Sequence, residues 1–549
     1  MDRNTLIAFF LIALVLLFTP KYMEIFGPPL ETKNNYDSLK TITPEIKPLN
    51  KTSLDQTAPT YKQKIEKVSK RPELFSTIET PLYTATFSNA AGGTIKNFRF
   101  KNYLTSDSQL VNIINNNSIQ NLTIELKNLD GETIDLNQNW TKTKEPGRII
   151  NRNNNTLEYK FEIFDGLFIK KIFSFNPNNY TININLDFND IKDMIYRDVG
   201  FSWNGGLSTT EKDTADDKTY FKAYIYQGEE LEELKTKPGN KEKKNFNGIT
   251  NWGAIRTKYF VSCLMPEDPN NVRSAHLSGS NNNREQYDMS FTFDCFKNSN
   301  FMLYIGPLEY EKIKNLNVGL EAIMDFGWSF IRPVSKAVLY SLKRMHEYIP
   351  NYGVVLIVFS FLVKILVFPL TKKSYQSTSA MQQIQPQVNA LRDKYKNDPQ
   401  KMNQATMKLY KEKGVNPLGG CLPMILQMPL LFALFIVFRT TIELRSEPFV
   451  WWIKDLSAPD KIFDLPFTIP LYGSHIAFLP ILMVISTFIQ QRMMSGNNQQ
   501  PQQKMMQYFM TGFFFLIFNN FPSGLNLYYT LFNVLTIAQQ KLMPAKPKT

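Results

Sequence analysis

The 549-residue sequence predicts a multi-span α-helical membrane protein, with six transmembrane helices and one large antiparallel β-sandwich domain outside the cytoplasm. Three observations predict it. Before about Leu320 the chain is polar and Asn-rich and alternates apolar with polar residues, whereas after it the chain is apolar in helix-length runs. The run Tyr352–Thr371, YGVVLIVFSFLVKILVFPLT, would make a helix about 30 Å long, enough to cross a bilayer. The short loops between apolar runs are alternately basic and acidic, as on opposite faces of a membrane.

Taken in order, residues 1–22 hold the apolar run Thr5–Phe18 behind Arg3. Thr19, Pro20, Lys21 and Tyr22 follow in place of the small residues that a cleavage site wants. The reading is an uncleaved signal-anchor helix, with a cleaved signal peptide as the alternative. Residues 23–72, rich in Lys, Thr, Asn and Pro, read as a flexible linker. Residues 73–319 form the β domain: Tyr180–Phe188 and Leu157–Ile163 alternate with period two, and Asp130-Gly131, Asp165-Gly166 and Asn204-Gly205 mark turns. Within it, the charged run Glu229–Lys244 reads as a solvated loop or short helix.

Residues 320–349 turn helical. Val334, Ala337, Val338, Ser341, Leu342 and Met345 make one apolar or small face, with Lys336, Lys343 and Arg344 off it. This suits a helix in the membrane interface; the alternative is a helix packed on the β domain. The second span is 350–371. Residues 372–416 read as a cytoplasmic two-helix hairpin with nine basic residues against three acidic ones; Asp398-Pro399 starts its second helix and Gly414 ends it. Its charge also suits acidic lipid or RNA. The third span is 417–439, followed by an acidic outer loop, 440–474, with Trp451 and Trp452. Spans at 475–490, 505–521 and 522–542 follow, with a cytoplasmic loop at 491–504 and a basic cytoplasmic tail at 543–549. Both termini then lie in the cytoplasm.

The polar residues inside the spans are the candidate site. A lysine at bilayer depth costs on the order of 3 kcal/mol, so Lys364 needs a reason. Ser360, Lys364 and Thr371 share one helix face. Snorkelling toward Thr371, Lys372 and Lys373 is one reading, and a functional polar cavity is the other. On the last helix Asn526, Tyr529, Asn533 and Gln540 recur on one face, and Gln427 and Asn519-Asn520 add polar groups in two more spans. A single such group reads as helix glue. Several together favour a shared hydrophilic cavity, which lowers the cost of each.

Other chemistry is scarce. Cys263, Cys295 and Cys421 have no metal-ligand spacing, and His276, His346 and His475 are scattered. A disulfide between Cys263 and Cys295 stays open, while Cys421 reads as a small packing residue. There is no Walker loop, HExxH or GxSxG, so an enzyme is the minor reading. A solute or anion transporter using Lys364 is the main alternative, against which stands the lack of an inverted repeat among the spans.

Several motifs are specific. Lys364-Ile-Leu-Val-Phe-Pro-Leu-Thr371, Asn416-Pro-Leu-Gly-Gly-Cys-Leu-Pro423, Gln427-Met-Pro429, Asp455-Leu-Ser-Ala-Pro459, Phe521-Pro-Ser-Gly-Leu-Asn-Leu-Tyr-Tyr529 and Asp325-Phe-Gly-Trp328 resemble the YidC/Oxa family of membrane protein insertases over about Leu320–Leu542. The first span and β domain are similar to the Gram-negative members by position. The resemblance implies a five-helix insertase core in the bacterial inner membrane and a periplasmic β domain. It implies insertion and folding of nascent membrane proteins, alone or with the Sec translocon and its accessory subunits. A hydrophilic groove, open to cytoplasm and lipid, would be lined by Lys364, Ser360, Gln427, Tyr529, Asn520, Asn526 and Asn533. Lys364 stands where arginine is usual, keeping the charge but losing bidentate pairing, Ser360 where threonine is common, and Asn520 where well-known relatives carry tryptophan. Partners implied are nascent clients, the translocon, the ribosome and signal-recognition targeting components, and lipid. No specific nucleic-acid target, cofactor or metal is expected.

Overall fold

The computed structural model describes residues 71–115, 119–151, 155–281, 285–396, 398–415, 422–470, 472–495 and 501–542. The signal anchor, all but the end of the linker, Cys421 and the basic tail lie outside the described residues. By internal contacts the chain divides into two units. One comprises residues 1–60 and 499–509, of which 501–509, a stretch of helix, are described. The other holds the remaining chain and carries the architecture below.

The β domain is built from strands whose side chains alternate in and out. In Thr181–Asp187, Ile182, Ile184 and Leu186 are buried while Asn183 and Asn185 face water. Every strand pair is antiparallel. A nine-stranded sheet runs Glu230–Leu234, Lys222–Gln227, Thr250–Arg256, Phe260–Pro266, Asn300–Pro307, Thr181–Asp187, Leu167–Phe175, Asn155–Phe164, Thr141–Lys144. A six-stranded sheet runs Lys241–Asn247, Val272–Asn281, Glu285–Asp294, Asp198–Trp203, Thr123–Lys127, Thr133–Ile134. Aromatic rings fill the space between these two; Phe201 and Phe301 approach to 4.9 Å. A four-stranded sheet, Phe75–Leu104 with Leu110–Asn115, lays Phe100 in a 4.9 Å stack on Phe260.

The charged run Glu229–Lys244 is not one loop or a helix but parts of two exposed strands joined by a loop at 235–240. Glu230–Leu234 is the edge strand of the nine-stranded sheet and Lys241–Asn247 that of the six-stranded one. Cys263 and Cys295 are both buried and both free, so they form no disulfide.

Among the described residues, seven α-helices of the C-terminal region follow: α1 (Arg332–His346), α2 (Tyr352–Lys394), α3 (Pro399–Glu412), α4 (Leu422–Thr440), α5 (Phe478–Ser495), α6 (Pro501–Phe518) and α7 (Ser523–Leu542). Asn351 caps α2 through the Val354 amide, and Asp398 caps α3 through the Lys401 amide. Gly414, at φ +62°, ends α3 in the left-handed region. The second span and the first arm of the hairpin are one 43-residue helix, α2, continuous through Pro369 and Pro386. On α1 the buried residues are Ser335, Val338, Leu339 and Leu342, so its inner face is rotated from the expected one and Ala337 is exposed. Among the described residues, Tyr352–Pro369 is long and apolar enough to cross a membrane, whereas Gln427–Thr440, Phe478–Met493 and Tyr508–Phe518 are apolar but shorter. Between α4 and α5 the chain makes a two-stranded hairpin, Lys461–Ile469 with Gly473–Ala477. His475 is therefore in a strand, and the helix expected from that residue begins at Phe478.

Candidate functional site

Helix α7 carries the polar groups that organise the helical region. Its buried residues include Asn526, Asn533, Thr536 and Gln539. Lys364, 8% exposed and in the second half of the apolar part of α2, does not run along its own helix. Its ammonium crosses to α7 and donates to Thr536 Oγ1 at 2.7 Å, 4.6 Å above the Phe532 ring. Thr536 passes its own proton to the Phe532 carbonyl at 2.7 Å. Among the described residues, no carboxylate pairs with Lys364. Toward the hairpin end of α2, Gln539 Nε2 reaches Thr371 Oγ1 at 3.5 Å.

On its other side α7 is tied to α5. Asn533 donates to Ser486 Oγ at 3.2 Å and Thr487 Oγ1 at 2.8 Å. A polar seam thus runs from α2 through α7 to α5, amid many apolar contacts between these helices. Each hydrogen bond here is made where water does not compete, so an unmade one is costly.

The expected site residues divide between this seam and other places. Lys364 and Asn533 belong to it. Ser360 is fully buried one turn before Lys364 and donates to its own helix, to the Leu356 carbonyl at 2.7 Å. Tyr529 has a buried hydroxyl without a hydrogen-bond partner among the described residues, and its ring lies edge-on to Phe518 at 6.1 Å. Gln427 is half-buried on α4. Asn526 is fully buried but holds the turn between α6 and α7, donating to the Phe518 and Phe521 carbonyls at 3.1 and 3.4 Å. Asn520 is exposed in that turn, against Gly473 of the hairpin, where a Cβ would come within 2.6 Å of its Oδ1. Sequence reasoning missed Thr536, Gln539, Ser486 and Thr487. Thr536 was within reach, because it continues the Asn526, Tyr529, Asn533 series at i+3.

The end of the helical region opposite the α2–α3 hairpin is fixed by two of the motifs meeting. Ser523 and Gly524 are the first residues of α7, whose amides lack intrahelical partners. They donate to the carbonyls of Ala458 at 2.8 Å and Leu456 at 3.0 Å, and Ser523 Oγ donates to the Asp455 carbonyl at 2.7 Å. The Asp455–Pro459 segment is therefore the cap of α7. Asp460 caps α5 in turn: one carboxylate oxygen accepts from the Phe478 amide at 3.1 Å, the Leu479 amide at 2.8 Å and Trp452 Nε1 at 3.1 Å. Asn519 closes the same end, bonding the Tyr472 and His475 carbonyls, each at 2.8 Å, and the Ala477 amide at 3.0 Å. Gln427, Asn520 and Asn526 do not join Lys364.

Residues 344–548 match the family model described as the 60Kd inner membrane protein, and residues 76–334 match the one described as the YidC periplasmic domain. The membrane protein insertase YidC of Chlorobaculum parvum is 34% identical over 99% of this chain and 95% of its own. That of Chloroherpeton thalassium is 34% identical over 98% and 95%. A solved active YidC insertase, with its first transmembrane domain resolved, is 18% identical over 86% of this chain and 94% of that one, at a TM-score of 0.37. Similarity at this level over nearly the whole length means that the chain belongs to the YidC family of membrane protein insertases.

Proposed function

We propose that this chain inserts nascent proteins into the bacterial inner membrane and assists their folding, with Lys364 as the group that attracts an acidic residue of the client. The observation that carries this reading is the placement of Lys364: a buried ammonium, bonded to a neutral hydroxyl across the helix boundary at 2.7 Å, with no carboxylate paired to it among the described residues. A cation held this way keeps an unmet demand for an anion, since an opposite charge in low dielectric is worth far more than a hydroxyl. A client carboxylate replacing Thr536 would meet it. The client's apolar segment would then pass along the exposed apolar flank of α2 at Phe361, Leu362, Ile365 and Leu366.

In this reading the chain spans the membrane six times, through residues 1–22, 350–371, 417–439, 478–490, 505–521 and 522–542, with both termini cytoplasmic and the β domain periplasmic. The α2–α3 hairpin is the cytoplasmic receiving element. The translocon, ribosome and targeting components are the partners of those surfaces, and Ser360, Gln427, Tyr529, Asn520, Asn526 and Asn533 complete the groove or brace it. The test is rescue of cells depleted of their own insertase, scoring protease protection of a short acidic-tailed client. Lys364→Arg should restore insertion, whereas Lys364→Ala should lower it severalfold and Lys364→Glu should abolish it. Normal insertion by Lys364→Ala would show that the charge does no work.

A further inference from the structure

The hairpin between α4 and α5 is the largest piece of the helical region that the polar seam leaves unexplained. Its first strand, Lys461–Ile469, is exposed almost throughout, yet it presents Ile462 at 51%, Phe463 at 60% and Phe467 at 60% exposure. Three bare apolar side chains on one nine-residue strand mark a surface that something covers. A two-stranded hairpin is also marginal in water by itself, so its setting must supply stability.

That setting is the apolar helices. The second strand runs into α5 without a loop, Ala477 being followed by Phe478, and Phe463 pairs with Ile476, level with the first turn of α5. The far end of the hairpin does not stand away from the helices. Tyr472, at the turn, packs its ring 5.3 Å from Phe515, which lies inside the apolar stretch of α6. Asn519 holds both Tyr472 and Ala477, so base and turn are pinned to the same helix end. Phe514, beside Phe515 in the same apolar stretch, is itself partly exposed, so α6 also carries exposed apolar surface.

A partner strand is a poorer fit for the open edge. Pro466 removes an amide donor there, and the register shifts between Asp464 and Ile469 break the ladder. We propose that the hairpin lies in the outer leaflet at the lipid headgroup–acyl boundary, with Phe463 and Phe467 as its membrane anchors. Phenyl rings placed there bury apolar area against lipid and fix the ends of α5 and α6 relative to the bilayer. This inference rests on the reading that α2, α4, α5, α6 and α7 span the membrane.

The test uses the full chain in vesicles of phosphatidylethanolamine and phosphatidylglycerol. Photoreactive benzoylphenylalanine replaces, one at a time, Phe463, Phe467, Ile365 on the exposed flank of α2, and Tyr196 on the β-domain surface. Lipid adducts are scored by mass. The expected result is adduct at Phe463 and Phe467 approaching the yield at Ile365 and well above that at Tyr196. Adduct at Ile365 with none at the two phenylalanines overturns the anchor and leaves the spanning helices standing. Crosslinks from the phenylalanines to another protein chain in place of lipid overturn it as well. Absence of adduct at Ile365 itself defeats the spanning reading, and the anchor with it.

Discussion

Lys171 sits in the β domain with no exposed surface, its ammonium donating to the carbonyls of Ala91 at 3.0 Å and Leu122 at 2.5 Å. Both acceptors belong to residues with left-handed backbone, φ 51° and 55°, so one lysine clamps two strained turns. Burial pushes its pKa down to about 7, from an ordinary value of 10.5. Above pH 7 the unfolded chain therefore holds more protons than the folded one, and stability rises with pH until about 10.5. The tryptophan-detected unfolding midpoint should be higher at pH 9 than at pH 6.5, and Lys171→Met should flatten that rise. The same substitution strands two buried carbonyls, a cost of about 1–3 kcal/mol for each. A wild-type profile already flat over this range would remove the lysine from the explanation. Lys364 differs in kind: its hydrogen-bond partner is a hydroxyl on another helix.

At the scale of elements, α7 depends on close approach at its first turn. A Cβ on Gly524 would run into the Phe438 ring of α4 and lie 3.1 Å from the Leu456 carbonyl that accepts the Gly524 amide. Gly524→Ala should therefore overpack this joint and destabilise the helical region by about 1–3 kcal/mol, read as a lower unfolding temperature in detergent. Unchanged stability would mean that α4 yields there without cost. The glycine was legible in the sequence only as part of a motif; that it meets Asp455–Pro459 required the fold. What the pattern did carry is local. Period-two burial in Thr181–Asp187 and the Asp398 and Gly414 caps follow from a few neighbouring residues. The charged edge strands Glu230–Leu234 and Lys241–Asn247 defeated it, because a strand open to water on its edge is protected by charge and loses apolar alternation. The Lys461–Ala477 hairpin was hidden for a different reason: its acidic surroundings read as an outer loop as far as residue 474, and its last residues, His475–Ala477, read as the start of the following helix. In the site, helical spacing found the α7 face but not which α7 residue meets Lys364, since the choice between Asn533 and Thr536 is set by how two helices cross.

For the molecule as a whole, the question is how the β domain is held on the helices. The joint is ionic. Asp216 lies 2.7 Å from Lys258 of its own domain and 2.7 Å from Arg439 at the end of α4. Arg445 pairs with Glu211 at 2.8 Å and donates to the Leu104 carbonyl at 2.7 Å, and Lys343 of α1 bridges Glu309 at 3.4 Å and Glu443 at 3.2 Å. Burial pushes the Asp216 carboxyl up, but Lys258 and Arg439 outweigh it and hold the group below the usual carboxylate range. A carboxyl depressed in the folded state contributes stability that is fully present above its unfolded value of 3.8 and is lost as pH falls through the folded value. The joint should thus be intact at neutral pH and loosen only in strong acid. Asp216→Asn removes the shared anion and leaves two cations facing each other. Because Asp216 is a quarter exposed and Arg439 about a third, solvent moderates the loss to roughly 1–3 kcal/mol, less than for a fully buried pair. Hydrogen exchange on the full chain in detergent should then speed up in the Thr214–Tyr220 helix and at the end of α4 together, while the strands of the β domain stay protected. Exchange confined to the Thr214–Tyr220 helix would show that Asp216 stabilises its own domain only. Simultaneous change on both sides would mean that a movement of the β domain is felt at α4, whose other end leads to the α2–α3 hairpin.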